Sequence, residues 1–271
     1  MTSYLILRDW INIEKLDLNL LSMNLNAIEY LKENPEKINW NILCFNENAI
    51  ELLKENPDKI NWDYLSANKN AIELLKNNPE KIDWNRLSRN SGAIELLTEN
   101  FEKINWFELA INENAIELLI KNPDNIDWDI LCCNKNAIEL LKENPDEINW
   151  NYLSANPNAI KLLRENPENI EWEIYSANTN AITDLSVNLD KIDWYYLSIN
   201  NNAIDILRDN QDKIDWKYIS TNPAIFTYDY IKIKDNFTKL GEEILAKALH
   251  PDRLFKLMEI YDENEVYNTY F

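Results

Sequence analysis

The sequence predicts an all-α protein: an α-solenoid of about ten 22-residue helix-turn-helix repeats with two short helices each. Tryptophan recurs every 22 residues, and strict periodicity of this kind is typical of repeat architectures. Each unit also carries two helix-start signals. Glycine occurs twice in 271 residues, which disfavours folds that need many turns with positive φ. The periodic tryptophans are Trp40, Trp62, Trp84, Trp106, Trp128, Trp150, Trp172, Trp194 and Trp216.

The first helix of each unit, helix A, is predicted to begin at an asparagine. In one unit Asn48 precedes Ile50 and Leu53, and asparagine is a strong N-cap because its side-chain oxygen accepts from an orphan backbone N–H. Helix A is expected to end at Asn56-Pro57, since the residue before a proline avoids the α region.

The second helix, helix B, is predicted to begin at Asn61, with Trp62 in its first turn, and to end near Asn68. Helices this short are not stable alone, so stacked units must bury a shared core. In this unit the expected core is Ala49, Ile50, Leu53, Ile60, Trp62 and Leu65.

Two asparagine columns are unbroken along the repeats, at the positions of Asn56 and Asn68. Both are predicted to lie at helix C-termini, where asparagine tolerates the left-handed region and can bond to neighbouring backbone groups. The favoured interpretation is a hydrogen-bonded ladder that joins the repeats. The alternative is a polar ligand groove.

The register divides the chain into three parts. Residues 1–25 form an N-terminal cap and a degenerate first repeat, in which Leu18 takes the tryptophan place. Residues 26–223 form nine repeats, and residues 224–271 form a C-terminal helical cap. Within this cap we expect helices over 242–249 and 253–261, separated by a turn at His250-Pro251-Asp252 with Asp252 as an N-cap.

The charge balance limits the partners. Lys and Arg number 27 against 47 Asp and Glu, a net charge of -20, which disfavours nucleic acid and anionic membranes. Basic proteins, or solubility alone, fit better. We therefore expect protein partners, with no nucleic acid and no membrane. The location is predicted separately. The chain has three cysteines, no signal peptide and no long apolar run, and these features indicate an intracellular location.

No pattern indicates catalysis, a cofactor or a metal site. His250 is the one histidine in the chain, which excludes sites built on several histidines. Cys44 and Cys132 stand where other units have small residues, and no phosphate-binding glycine motif occurs. The sequence predicts a protein that is not an enzyme.

The positions just after each tryptophan vary from unit to unit, although the predicted core is constant. In solenoids such a stripe often contacts a partner, and Tyr, Phe and Arg are typical interface anchors. The alternatives are neutral variation on a solvated face and ion pairs of the arginines with Asp83 or Glu108. One candidate patch spans three units: Tyr64, Arg86, Arg89, Phe107 and Ile111; further candidates are Tyr152, Tyr195 and Tyr196.

At NAIELLKENPDKINWDYLSANKNAIELL the chain resembles the short tandem repeat proteins of mimivirus-like giant DNA viruses that infect amoebae. The resemblance covers residues 5–223, with departures at Thr183-Asp184, Leu189 and Gln211, and ALHPDRLFKLMEIY resembles a tail of such proteins. It implies a viral protein in the host cytoplasm or virus factory, or in the virion.

These observations favour a non-catalytic protein-binding scaffold or adaptor. Two alternatives stay open. The first is an acidic decoy that sequesters basic proteins, and the second is a structural, self-associating component of the virion or virus factory.

Overall fold

The computed structural model describes residues 4–250 together with residues 253, 256 and 257. These residues are mostly helical and repeat periodically, with one two-stranded sheet, which confirms the all-α class. The chain divides into two compact units: residues 8–226, which contain the repeats, and residues 1–7 with 227–271. No helix in the described part of the chain has the length and apolarity needed to cross a membrane.

Helix A does not begin where the sequence predicted. In the unit of Asn48, the helix starts at Ile50, and its N-cap, Ala49, offers no side-chain bond. Asn46 instead caps a short 3₁₀ turn by accepting from the Asn48 N–H. The Asn48 amide donates to the carbonyl of Leu25, 2.9 Å away in the preceding repeat. The A helices are Ile28–Glu33, Ile50–Glu55, Ile72–Lys76, Ile94–Glu99, Ile116–Ile120, Ile138–Glu143, Ile160–Glu165, Ile182–Ser186 and Ile204–Asp209.

A 3₁₀ turn follows most A helices. Proline commonly supplies its first residue, where the missing N–H is not needed. These turns are Pro35–Lys37, Pro57–Lys59, Pro79–Lys81, Phe101–Lys103, Pro123–Asn125, Pro145–Glu147, Pro167–Asn169 and Leu189–Lys191. Further 3₁₀ turns are Ile13–Lys15, Glu47–Ala49, Lys69–Ala71, Pro157–Ala159 and Pro223–Ile225.

Helix B begins as predicted. The Asn61 side chain accepts from the backbone N–H of Tyr64 at 3.2 Å, and Asp83 caps the next B helix in the same way. The B helices are Leu18–Leu21, Trp40–Leu43, Trp62–Ser66, Trp84–Ser88, Trp106–Ala110, Trp128–Leu131, Trp150–Ser154, Trp172–Tyr175 and Trp194–Ile199, and a 3₁₀ helix, Tyr218–Thr221, takes the last place.

The core is narrower than predicted. Ala49, Leu53 and Leu65 are fully buried, as are their counterparts along the repeats. Ile50 and Trp62 are only half-buried, so the prediction of a tryptophan core column is wrong. Ile60 is half-buried as well, but its counterparts Ile82, Ile104, Ile192 and Ile214 are buried as predicted. The indole occupies the first position of helix B and keeps one face open.

The asparagine column of Asn68 forms the predicted ladder between repeats. Asn134 is typical: its amide donates to the carbonyls of Ala110 at 2.9 Å and Asn112 at 2.8 Å, while its oxygen accepts from the N–H of Asn136 at 3.0 Å. Each such side chain is almost fully buried. The column is Asn24, Asn46, Asn68, Asn90, Asn112, Asn134, Asn156, Asn178, Asn200 and Asn222.

The other column acts within its own repeat. The Asn56 amide donates to the carbonyl of Leu52 at 2.9 Å, which closes the end of helix A. Its φ is −131°, and no residue in the described ranges has a positive φ. The expectation of a left-handed backbone is therefore wrong for both asparagine columns, and that of bonds between repeats is wrong for the Asn56 column.

A serine column adds a third connection. Ser66 Oγ donates to the Trp62 carbonyl at 2.8 Å and accepts from the Asp83 N–H of the next repeat at 3.0 Å. Cys44 and Cys132 accept the corresponding N–H bonds through Sγ at 3.3 Å. The thiols are thus acceptors as well as small packing groups.

The bonds that join neighbouring repeats also join the last repeat to the first. Asn24 donates to the carbonyls of Ser220 at 3.0 Å and Asn222 at 2.9 Å, and Ser220 Oγ accepts from the Asp17 N–H at 2.8 Å. The Asn26 amide donates to the Pro223 carbonyl at 2.9 Å. The repeats of residues 8–226 therefore form a closed cycle.

The second unit combines both ends of the chain. Strand β1, Leu5–Leu7, pairs with β2, Phe226–Tyr228. Asp229 caps a helix that spans Tyr230–Ala248, so the helix begins well before residue 242, where the sequence predicted it. The predicted turn at His250-Pro251-Asp252 and the helix over 253–261 lie mostly outside the described residues.

One repeat replaces two apolar residues with a bonded polar pair. Tyr175 occupies the buried leucine place of helix B, and its hydroxyl donates to Asp184 Oδ2 at 2.5 Å. Asp184 lies in helix A at the position that Leu162 occupies in the preceding repeat. The Arg164 Nε–H donates to Asp184 Oδ2 at 3.0 Å. Burial opposes ionisation of Asp184, but the bonds from Arg164 and Tyr175 outweigh it and lower its pKa.

We expect Tyr175→Leu and Asp184→Leu each to destabilise the protein by about 1–3 kcal/mol, because each leaves a partner unsatisfied. The double variant restores the leucines of other repeats and should recover most of that loss. The pKa of Asp184 is lower in the folded than in the unfolded protein, so the ionised carboxylate stabilises the fold. This stabilisation is fully present above the unfolded pKa and is lost as the pH falls through the folded pKa. Urea unfolding across that acidic range, compared with the double variant, measures both effects; additive single losses would contradict the coupling.

Candidate functional site

The varied positions lie on the surface of the B helices, outside the bonds that hold the repeats together. In the described residues every buried side-chain nitrogen or oxygen has a hydrogen-bond partner. The ladder is made by asparagines common to the repeats, and it does not use Tyr64, Arg86 or Phe107. Variation at these positions can therefore change the surface without disturbing the framework.

Three consecutive repeats contribute to one stack. The rings of Phe45 and Tyr64 lie 4.7 Å apart at an interplanar angle of 25°. The guanidinium of Arg86 covers Tyr64 at 4.7 Å and reaches Phe45 at 5.8 Å. Its ion pair with Asp83 is long, at 3.9 Å. The stack fixes Arg86 mainly through aromatic contacts.

Arg89 lies in a neighbouring groove of about 350 Å³. Its guanidinium is 3.8 Å from the Glu108 carboxylate, so both ion pairs considered from the sequence, with Asp83 and with Glu108, are present. Ile111 lines the same groove. The other residues that line it include both acidic and basic side chains from successive repeats. The remaining lining residues are Glu47, Ala67, Lys69, Ser91, Glu113 and Lys135, with Lys69 paired to Glu47 and Lys135 to Glu113.

The other predicted residues are spread along the repeats. Phe107 is 53% exposed and Tyr152 is 41% exposed. Tyr195 lies 4.9 Å from Tyr196 and 4.3 Å from Tyr218, edge to face in both cases. A bond with Tyr218, together with burial, raises the pKa of Tyr195.

The structure thus brings Tyr64 and Arg86 into contact and places Arg89 and Ile111 in one groove. It shows no ring contact of Phe107 with either pair among the described residues. Sequence reasoning missed Phe45 and Tyr218 as ring partners. The signal was present: in each case an aromatic residue after one tryptophan meets another aromatic in the next repeat.

The cysteines are not activated as nucleophiles. Burial raises the pKa of the Cys44 and Cys132 thiols, and burial beside Cys132 raises that of Cys133 to about 11. A thiolate, which is the nucleophilic form, is disfavoured in such surroundings. Among the described residues no three His, Cys, Asp or Glu side chains are gathered in a way that could hold a metal ion.

Comparisons with protein-family models, with curated proteins and with solved structures found no match to this chain.

Proposed function

We propose that this chain is a non-catalytic protein-binding scaffold: a helical-repeat solenoid, closed on itself, that presents a varied B-helix surface to a partner. The observation that carries the proposal is the stack of Phe45, Tyr64 and Arg86 across three repeats. Beside it, Arg89 and Ile111 line a groove. Stacked aromatics with an ordered arginine combine apolar area with directional donors, which is the composition of interface anchors.

We further propose, from the resemblance to giant-virus repeat proteins, that this scaffold acts inside an infected host cell. The net charge of -20 supports the alternative of an acidic decoy for basic proteins. The two differ in salt dependence, because attraction between exposed charges is screened over about 8–10 Å at physiological ionic strength. A scaffold should retain one dominant partner at 0.5 M salt, whereas a decoy should bind many basic proteins at low salt and release them at 0.5 M salt.

Replacing both Arg86 and Arg89 with glutamate should abolish capture of the dominant partner, because the surface loses both cations. Stability should change by only about 1–2 kcal/mol, since the two ion pairs are long and partly exposed and the cation–π contact of Arg86 with Tyr64 is lost with them. Affinity capture with quantitative mass spectrometry, alongside thermal melting, measures this.

The matched control is Lys54→Glu with Lys142→Glu, the same charge change on exposed parts of the A helices. Capture should survive in the control. If the arginine variant captures the partner as well as the wild type does, the stack is not the binding surface. If control and arginine variant lose capture equally, the effect is one of net charge.

A further inference from the structure

Most of the open tryptophan faces are covered by a lysine from the next repeat. The ammonium lies 4.3–4.7 Å from the ring centroid, which is a cation–π contact. In the closed cycle Lys15 of the first repeat covers Trp216 of the last. The pairs are Lys81 with Trp62, Lys103 with Trp84, Lys191 with Trp172, Lys213 with Trp194 and Lys15 with Trp216.

Three consecutive repeats lack this lysine. Asn125, Glu147 and Asn169 stand in its place, opposite Trp106, Trp128 and Trp150 respectively. At Glu147 the charge is reversed, so Trp128 faces a carboxylate instead of an ammonium.

An open groove of about 710 Å³ lies at this reversed position. Two indoles, Trp128 and Trp150, line it together with backbone and side chains of two neighbouring repeats. Four carboxylates also line it: Asp127, Asp129, Asp146 and Glu147.

Two of the four carboxylates of the groove are held in place by hydrogen bonds that do not neutralise them. Asp127 Oδ1 accepts from the Ile130 N–H at 3.0 Å, and Asp129 Oδ1 accepts from the Asn149 amide at 2.9 Å. No Lys or Arg of the described ranges pairs with any of the four. The groove therefore keeps a negative charge that the repeats with a lysine at the Glu147 position partly offset.

The described residues do not gather three carboxylates closely enough for a metal ion, so a metal is not the occupant that fits. The equivalent places in five other repeats identify a better one, since each of these holds a primary ammonium over the indole. An ammonium has three N–H donors for the carboxylates and a point charge for the ring face.

We propose that this groove binds a lysine side chain of a partner protein, with its ammonium over Trp128 and among the four carboxylates. The inference rests on the proposed protein-binding function only in that the lysine belongs to a protein. The groove shares no residue with the stack of Phe45, Tyr64 and Arg86. The inference specifies one residue type, lysine, that the partner must present.

The test uses the full-length chain and three short neutral-capped peptides that differ at one position: lysine, arginine or norleucine. Binding is followed by the indole N–H resonances, assigned by Trp128→Phe and Trp150→Phe. The lysine peptide should shift the Trp128 resonance and bind at least about tenfold tighter than the norleucine peptide.

Glu147→Lys places the lysine of the other repeats in the groove and should weaken lysine-peptide binding at least about tenfold. The control is Glu80→Lys, the same charge change at an exposed position next to Lys81, which already covers Trp62; it should leave lysine-peptide binding within about twofold of wild type. Folding of both variants is checked by melting.

Equal binding by wild type and Glu147→Lys overturns the proposal, as does a norleucine peptide that binds as well as the lysine peptide. Preference for the arginine peptide overturns the assignment to lysine. The Arg86→Glu, Arg89→Glu variant should bind the lysine peptide normally, so failure of the stack proposal and failure of this one are distinguishable.

Discussion

Replacing Asn134 with alanine is expected to lower the free energy of unfolding by about 3–5 kcal/mol, since three buried hydrogen bonds of roughly 1–1.5 kcal/mol each are lost. The side chain joins two carbonyls of the preceding repeat to the N–H of Asn136, two residues further along the chain. Because repeats are coupled mainly to their neighbours, the loss should also broaden or divide the unfolding transition. Urea unfolding followed by circular dichroism measures both.

Two variants test whether the donors carry this effect. Asn134→Asp keeps the oxygen that accepts from Asn136 but turns a carboxylate toward two carbonyls, so it should destabilise at least as much as alanine. Asn201→Ala removes an exposed asparagine and should change stability by less than about 0.5 kcal/mol. A mild effect of Asn134→Asp would show that shape, and not hydrogen bonding, sets the requirement at this position.

The period, the two helices per repeat and the helix B cap at Asn61 could be read from the sequence because each depends on local chemistry. The role of Asn48 could not. An asparagine before an apolar run is a valid N-cap signal, but here Asn46 caps first and Asn48 bonds to the preceding repeat. Local propensity does not distinguish a cap from a bond between repeats.

The tryptophan assignment failed for a related reason. A regularly spaced indole predicts burial, but at the first position of helix B it keeps one face open, and Lys81 and its counterparts occupy that face. The lysine column, with its replacement by Glu147, is visible in the sequence. The role of this lysine column depends on the contact of each lysine with the tryptophan of the preceding repeat. That contact is seen only in the structure.

The closed cycle could not be predicted, because closure depends on a small rotation per repeat that accumulates over the whole array. Sequence does show that Lys15-Leu16-Asp17 matches the Lys-Ile-Asp or Lys-Ile-Asn turn before most of the periodic tryptophans. The degenerate first repeat therefore retains the groups needed to bond to the last. Leu18 stands in the tryptophan position of this repeat, so the repeat lacks the indole. Its ladder asparagine, Asn24, still forms its hydrogen bond to the last repeat.

Closure makes a quantitative prediction about Asn24. In an open array the amide of a first-repeat asparagine would face solvent, and its removal would cost little. In the closed cycle Asn24 bonds to Ser220 and Asn222 as Asn134 bonds to its own neighbours. Asn24→Ala should therefore destabilise the protein by about 3–5 kcal/mol, as an internal ladder variant does.

Hydrogen exchange localises the effect. The Asp17 N–H bonds to Ser220 Oγ across the closing junction, so it should be protected in the wild type and exchange much faster in Asn24→Ala. The internal variant Asn134→Ala weakens a distant junction and should accelerate Asp17 far less, because coupling passes mainly between neighbours. A wild-type Asp17 amide without protection, together with a loss below about 1 kcal/mol in Asn24→Ala, would mean that the repeats form an open array in solution.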